Sequence, residues 1–295
     1  MTVIRSRRDK AVLLLMCGIP TLLLLGLVWL PAVASIGLSF TSWDGIGGLG
    51  GITWVGTRNY EQIFSIYPPF WPAVRHNVIW LAFLALFPTT FGILLAALLD
   101  RHIRFSRIYQ SALYLPVMLS FVLVGFIAQL VYSQDQGFIN SALGQAGTGP
   151  DWLGDPDLNL WAVLLAAAWR HTGYIMVLYL AGLKSVDPTL RDAARIDGAS
   201  EWQTFRHVIF PALKPINVVV LVVTVIESLR AFDLVYVING GKNGLELLSV
   251  LIYDNVVGEA SRIGYGSALA TVLLLLSLGS IVTYLVLSLR REQRP

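Results

Sequence analysis

The chain has 295 residues, of which 56% are hydrophobic and only 13% charged, and its mean hydropathy is +0.68. Soluble domains carry about 25% charged residues, so a soluble enzyme, a disordered chain and a disulfide-framed secreted domain are all excluded. The net charge is +3 without a single basic stripe for nucleic acid, and the lone Cys17 has no partner for a disulfide or a cysteine metal cluster.

A bilayer core of about 30 Å takes roughly 20 apolar residues in helical form. Six stretches reach that length: 11–40, 77–99, 108–133, 160–183, 216–238 and 264–289. Pro20 and Pro31 interrupt the first, which predicts a kink or a tilt. It is too long for a signal-peptide core and lacks a small-residue cleavage site, so it reads as a retained helix. The loop that follows, about 41–76, is rich in glycine (Gly45, Gly47, Gly48, Gly50, Gly51) and aromatics (Trp43, Trp54, Tyr60, Phe70, Trp71). The expected organisation is a tail over 1–10, a first helix and loop over 11–76, a five-helix core over 77–289 and a second tail over 290–295.

Basic residues set the orientation. Arg5, Arg7, Arg8 and Lys10 precede the first span, and Arg101, Arg104 and Arg107 follow the second. Lys184, Arg191, Arg195, Arg206 and Lys214 follow the fourth, and Arg290, Arg291 and Arg294 close the chain. The opposite side holds only Arg58, Arg75, Lys242 and Arg262, while Asp135, Asp151, Asp155 and Asp157 share a loop without Lys or Arg. Both termini are therefore expected in the cytoplasm. Tyr132, Trp152 and Trp161 near the outer ends suit an aromatic belt.

The longest expected cytoplasmic segment is 184–215. Asp187 followed by Pro188 reads as an N-cap and a first helical residue. Gly198 breaks that helix, and Ser200 with Gln203 fits a capping box for a second short helix ending before Pro211. Two readings fit this helix pair. It lies on lipid with Arg195, Arg206 and Lys214 near phosphates, or it docks to another protein. Ala193, Ala194 and Ala199 favour docking, since small side chains let a foreign backbone approach but anchor poorly in lipid.

Four ionisable residues fall inside spans: Arg170, Glu227, Arg230 and Asp233. Each costs about 2.5–3.5 kcal/mol at mid-membrane on insertion scales. Arg170 and Glu227 lie at similar depth, so a pair is feasible. The spacing of three puts Glu227 with Arg230, and Arg230 with Asp233, on shared faces. These charges either fix helix packing as a buried network or line a polar passage for a hydroxylated solute.

Several runs carry a family resemblance. Asp192, Ala193, Ala194, Asp197, Gly198, Ala199, Phe205 and the run 211–215 resemble the EAA loop of binding-protein-dependent ABC importer permeases. Runs 114–116, 137–140, 181–183, 232–236, 239–241 and 264–268 are similar to the sugar-importing branch, of the maltose and glycerol-3-phosphate type. The run from 232 to 241 resembles the first of two dissimilar permeases that form a heterodimer there. The chain differs in having Asp192 for the usual glutamate, and Lys242 and Asn243 for a Gly-Pro pair. Ala128 and Gln129 lie where a tryptophan is common.

The resemblance implies an all-α, six-span membrane protein with the type I ABC importer (MetI-like) permease fold, in a prokaryotic plasma membrane. It implies a second homologous permease, two ATPase subunits and an extracellular solute-binding protein as partners, with a sugar or polyol as solute. ATP and Mg would sit on the ATPases, with no cofactor on this chain. Segment 184–215 would be the coupling loop, with Asp192, Ala193, Ala194, Asp197, Gly198, Ala199, Trp202, Phe205 and Pro211 at the ATPase. Arg170, His171, Tyr174, Glu227, Ser228, Arg230 and Ala231 would line the solute pathway.

Other chemistry lacks its residues. No G-x-x-x-x-G-K-[ST] loop is present, so the chain does not hydrolyse ATP alone. His76, His102, His171 and His207 are scattered without a zinc motif, and no G-x-S-x-G elbow or other catalytic set exists. The rival readings are an ion-coupled secondary transporter with Arg170 and Glu227 as relay, an intramembrane enzyme and a membrane scaffold. The energy source separates the first rival from an importer, because its uptake survives ATP depletion.

Overall fold

The structure, a computed structural model, describes residues 7–46, 48–101, 103–258 and 261–292. Arg5, Gly47, His102, Arg294 and the side chains of Arg7, Arg290 and Arg291 lie outside the described residues. Helix α1 (Arg7–Leu24) continues through a π turn at Leu25–Trp29 into α2 (Leu30–Leu38). Then follow α3 (Arg58–Ser65), α4 (Phe70–Leu99), α5 (Ser106–Tyr114), α6 (Phe121–Tyr132), α7 (Phe138–Ala142) and α8 (Asn159–Ser185). The short α9 (Pro188–Ile196), α10 (Glu201–Thr204) and α11 (Phe210–Ala212) lead into α12 (Lys214–Leu229). The chain closes with α13 (Asp233–Asn239), α14 (Leu248–Val256) and α15 (Ile263–Glu292). Among the described residues, extended backbone pairs only at an isolated bridge, Thr41 with Trp54.

Four stretches among the described residues are long and apolar enough to cross a membrane: Lys10–Leu38, Phe70–Leu99, Asn159–Ser185 and Ile263–Val286. The number reaches six if two bent pairs each count as a span. These are Ser106–Met118 with Phe121–Tyr132, bent by 98°, and Glu201–Ala212 with Lys214–Asn239, bent by 72°.

Two of the expected stretches, 108–133 and 216–238, are thus broken by bends. Pro116 sits in a 3₁₀ turn at Leu115–Met118, and Leu119 and Ser120 are extended. The Ser120 hydroxyl then caps α6 by accepting from the Leu123 N–H at 3.2 Å. The fifth span stops at Leu229 and resumes at Asp233. The second span begins at Phe70 rather than at 77, and α3 and α14 lie in segments expected to be loops. In the first span the π turn ends just before Pro31, with the Leu30 N–H reaching back to the Leu25 carbonyl. That wider turn accommodates a proline ring that would clash with a regular helix.

The chain forms two compact units. One comprises Met1–Tyr67 and Ile252–Val272. There α3 is tied to the end of the first span: Asn59 Nδ2 donates to the carbonyls of Ser39 and Thr41, each at 2.8 Å. Asn255 Nδ2 donates to the Tyr67 hydroxyl at 3.1 Å, and Tyr67 meets Tyr265 edge-on at 5.5 Å.

The other unit comprises Pro68–Leu251 and Leu273–Pro295. Its centre is the packing of α4 along α8. The two helices come so close that a Cβ on Gly92 would lie 2.7 Å from Ile175 Cγ2. Two apolar clusters sit at opposite ends of α8. The first gathers Trp80, Val163, Leu164, Leu234, Val235 and Leu247. The second gathers Ala96, Ile175, Met176, Leu183, Ile209 and Leu213. One helix therefore supports the breaks at Leu119 and Arg230 at one end and the short-helix loop at the other.

Replacing Gly92 with valine is expected to destabilise the protein by about 1–3 kcal/mol through overpacking. Gly279 has nothing within 4 Å of its Cβ position, so Gly279→Ala leaves stability unlowered. Thermal unfolding of both variants in detergent checks the contrast.

Candidate functional site

The two helix breaks produce a cavity of about 180 Å³ in the second unit. The α12 helix ends when the Arg230 N–H closes on the Ile226 carbonyl at 2.9 Å. Ala231 and Phe232 then leave the helix, and Asp233 opens α13. Arg170, His171, Glu227, Arg230 and Asp233 line the cavity, with Trp80, Phe121 and Phe232 as its rings.

Arg170 on α8 is held on three sides. Its Nη1 lies 3.8 Å from Glu227 Oε2, and its Nε donates to the Leu119 carbonyl at 3.4 Å. The guanidinium carbon lies 3.9 Å from the centroid of the Phe121 ring, a cation–π contact. The bend after Pro116 provides both latter partners, since it turns the Leu119 carbonyl out of the helix ladder. At 3.8 Å the ion pair is longer than a hydrogen bond, so each charge keeps capacity for a further polar partner.

His171, also at the cavity, has its own partner. Its Nε2 lies 3.1 Å from Thr224 Oγ1, and that hydroxyl donates to the Val220 carbonyl at 2.8 Å. The hydroxyl proton being used there, Nε2 is the donor, and His171 ties α8 to α12 from a nearly buried position.

Arg170, His171, Glu227, Arg230 and Ala231 thus meet around one cavity, while Tyr174 and Ser228 stand outside it. Tyr174 packs on the second apolar cluster, so it is not the cavity's stacking ring. Ser228 is fully buried, its hydroxyl donating to the Thr224 carbonyl at 2.7 Å. The expected shared face of Arg230 and Asp233 does not form, because the helix ends between them. Phe121 and Phe232 were missed because they flank breaks that helical periodicity does not reveal, and Trp80 was missed with them.

The loop between α8 and α12 follows its local chemistry closely. Asp187 Oδ1 accepts from the Thr189 N–H at 2.9 Å, with Pro188 as the first helical residue. That bond holds the Asp187 carboxyl below its ordinary pKa of 3.8, so the cap persists at neutral pH and weakens only as the pH falls through the lowered value. Gly198 has φ +77°, the left-handed region that glycine enters without penalty. Ser200 and Gln203 complete a capping box, at 2.8 Å and 3.3 Å.

The second arm does not end before Pro211. It passes through a π turn at Phe205–Ile209 and includes Pro211 in α11, ending at Ala212. As at Pro31, the π turn makes room for the proline.

One face of the arms is anchored, with Ile209 and Leu213 buried and Phe205 and Val208 packed beside them. Asp192, Ala193, Asp197, Gly198 and Pro211 are left exposed, as is Trp202 at the edge of the groove beside α4. Trp202 stacks on Phe205 at 6.1 Å yet remains 62% exposed. Ala193, Ala194, Asp197 and Ala199 border a shallow hollow between the arms, closed on its other side by Gln203 and His207.

Residues 88–294 match the family described as binding-protein-dependent transport system inner membrane component. A probable ABC transporter permease protein of Pyrococcus horikoshii is 32% identical over 94% of this chain and 95% of its own. The xylose/arabinose import permease protein XacH of Haloferax volcanii is 36% identical over 91% of this chain and 85% of its own. In fold, a chain of the bacterial alginate ABC transporter, in complex with a periplasmic protein bound to alginate pentasaccharide, is similar with a TM-score of 0.82. It is 20% identical and covers 97% of this chain and 96% of that one. The chain belongs to the family of binding-protein-dependent transport system inner membrane components. It is a multi-pass, all-helical ABC importer permease with the MetI-like fold, a membrane subunit and not the ATPase.

A double-mutant cycle tests the Arg170–Glu227 pair. Arg170→Ala and Glu227→Ala each lower thermal stability, and the double variant recovers a coupling of about 0.5–1 kcal/mol. Partial exposure of both side chains keeps that figure low. Strict additivity means the two groups do not interact.

Proposed function

We propose that this permease imports a sugar or related polyol received from an extracellular solute-binding protein. It works with a second homologous permease and two ATPase subunits in a prokaryotic plasma membrane. In this reading the chain crosses the membrane six times with both termini cytoplasmic, as its basic residues favour. It divides into tails 1–10 and 290–295, a first helix and loop over 11–76, and a core over 77–289.

The solute class rests on two supports. The relatives include permeases named for xylose/arabinose import and for trehalose/maltose transport. The cavity charges also balance, with Arg170 and Arg230 against Glu227 and Asp233, which suits a neutral solute needing many polar contacts. Trp80, Phe121 and Phe232 supply apolar faces for a sugar ring. Arg170, His171, Tyr174, Glu227, Ser228, Arg230 and Ala231 are the proposed pathway residues. Tyr174 and Ser228 act there through packing rather than contact. The permeases named here as relatives lend no support to the ion-coupled alternative.

The observation that carries the mechanism is the two-faced loop. A helix pair with both arms capped, buried on one side and exposed on the other, transmits a push from its exposed side into α8. A flexible loop would absorb it. We place Asp192, Ala193, Ala194, Asp197, Gly198, Ala199, Trp202, Phe205 and Pro211 at or behind the contact with an ATPase. ATP-driven closure of the ATPases then moves the loops and reorients the cavity.

Asp192→Arg and Gly198→Pro are expected to insert into the membrane normally and abolish ATP-dependent uptake in vesicles holding the full complex. Normal uptake by Gly198→Pro removes the coupling role. Arg170→Ala is expected to reduce sugar uptake while the complex still assembles; assembly failing alone assigns Arg170 to packing.

A further inference from the structure

The end of α4 carries two consecutive residues of opposite charge, and each meets a different arm of the coupling loop. Asp100 Oδ2 lies 2.6 Å from Arg191 Nη2 on α9. Arg101 Nη2 lies 3.6 Å from Glu201 Oε2 on α10. Arg195 joins the arms to each other, 3.9 Å from Glu201 and 3.7 Å from Asp192.

These contacts differ in weight. Arg101, Arg195 and Glu201 are exposed, and pairs of that kind add little. Asp100 and Arg191 form a short charge-assisted hydrogen bond, with the Asp100 side chain only 13% exposed. Its geometry is fixed as well, because the Asp100 backbone N–H closes α4 on the Ala96 carbonyl at 2.9 Å.

The first arm needs such a tie. Helix α9 buries only Ala194, whereas the second arm is anchored through Ile209. Between the end of α4 and the arms lies a groove of about 350 Å³, bordered by Leu94, Leu98, Trp202 and Phe205. Apolar packing does not fill that gap, and Asp100–Arg191 spans it. Among the described residues it is the only ion pair joining α9 to a membrane-spanning helix.

We propose that Asp100 is a positioning residue for energy coupling. Through Arg191 it locks α9 to α4, so that a displacement of the loop drives α4 as well as α8. Helix α4 carries Trp80 and Leu84 into the solute cavity, so the pair links the docking face to that cavity along one rigid helix. Without it, α9 pivots at Gly198 and the push is lost before reaching α4. The proposal rests on the coupling role given to the loop above.

The test uses the complete transporter, reconstituted in vesicles with its ATPase subunits and binding protein. It reads the ATP hydrolysed per solute imported, together with retention of the ATPase. Asp100→Asn is expected to keep the ATPase bound and raise the ATP used per solute by roughly two- to thirtyfold. The exchanged pair Asp100→Arg with Arg191→Asp is expected to restore the ratio while ATPase retention stays equal in all variants, and that equal retention separates a coupling role from a purely structural one. An unchanged ratio in Asp100→Asn, with the complex intact, overturns the proposal. So does equal loss of assembly in both variants, which makes the pair a packing contact. Failure of the unaltered chain to hold the ATPase at all overturns the coupling reading instead.

Discussion

The close approach of α4 to α8 is the constraint on which the rest of the second unit depends. It exists because Gly92 offers no Cβ where Ile175 needs the space. With the two helices in contact, α8 gains a firm backing along its length. It can then carry Arg170 and His171 at one level and the root of the α9–α11 loop at another. Apolar burial drives little inside lipid, so packing density of this kind takes over its organising role.

Against that rigid pair, the neighbouring helices are interrupted beside the cavity. The α5–α6 bend and the α12–α13 break put a backbone carbonyl and charged side chains beside one cavity. Such groups are tolerated at membrane depth only where they find partners. Arg170 finds a carboxylate, a carbonyl and an aromatic face. The proline positions follow a related logic: Pro31 and Pro211 each come just after a π turn, which lets a helix pass through a residue that would otherwise end it.

Much of this was legible in the residues, for identifiable reasons. The Asp187–Pro188 start, the Gly198 turn and the Ser200–Gln203 box are local signals, and each formed as read. The pairing of Arg170 with Glu227 was legible from depth and charge. The breaks at Leu119 and Arg230 were not, because both lie inside apolar runs whose hydropathy is uniform while the backbone direction changes. Trp80, Phe121 and Phe232 were missed with them, and Tyr174 was assigned to the cavity when its side of α8 faces the second apolar cluster. The Asp100–Arg191 pair joins residues 91 positions apart, beyond the reach of periodicity or capping rules.

In the proposed reading, the loop from Asp187 to Ala212 is what joins this chain to an ATP-driven machine, and cross-linking probes it most directly. Cys17 is the chain's single cysteine, so Cys17→Ser with Trp202→Cys leaves one thiol, at an exposed position of the second arm. The account predicts that a short thiol-reactive cross-linker joins position 202 to the ATPase subunit in native membranes, with a yield that changes when ATP is added. No adduct in an intact complex, with the thiol reacting instead with a lipid-phase reagent, contradicts it.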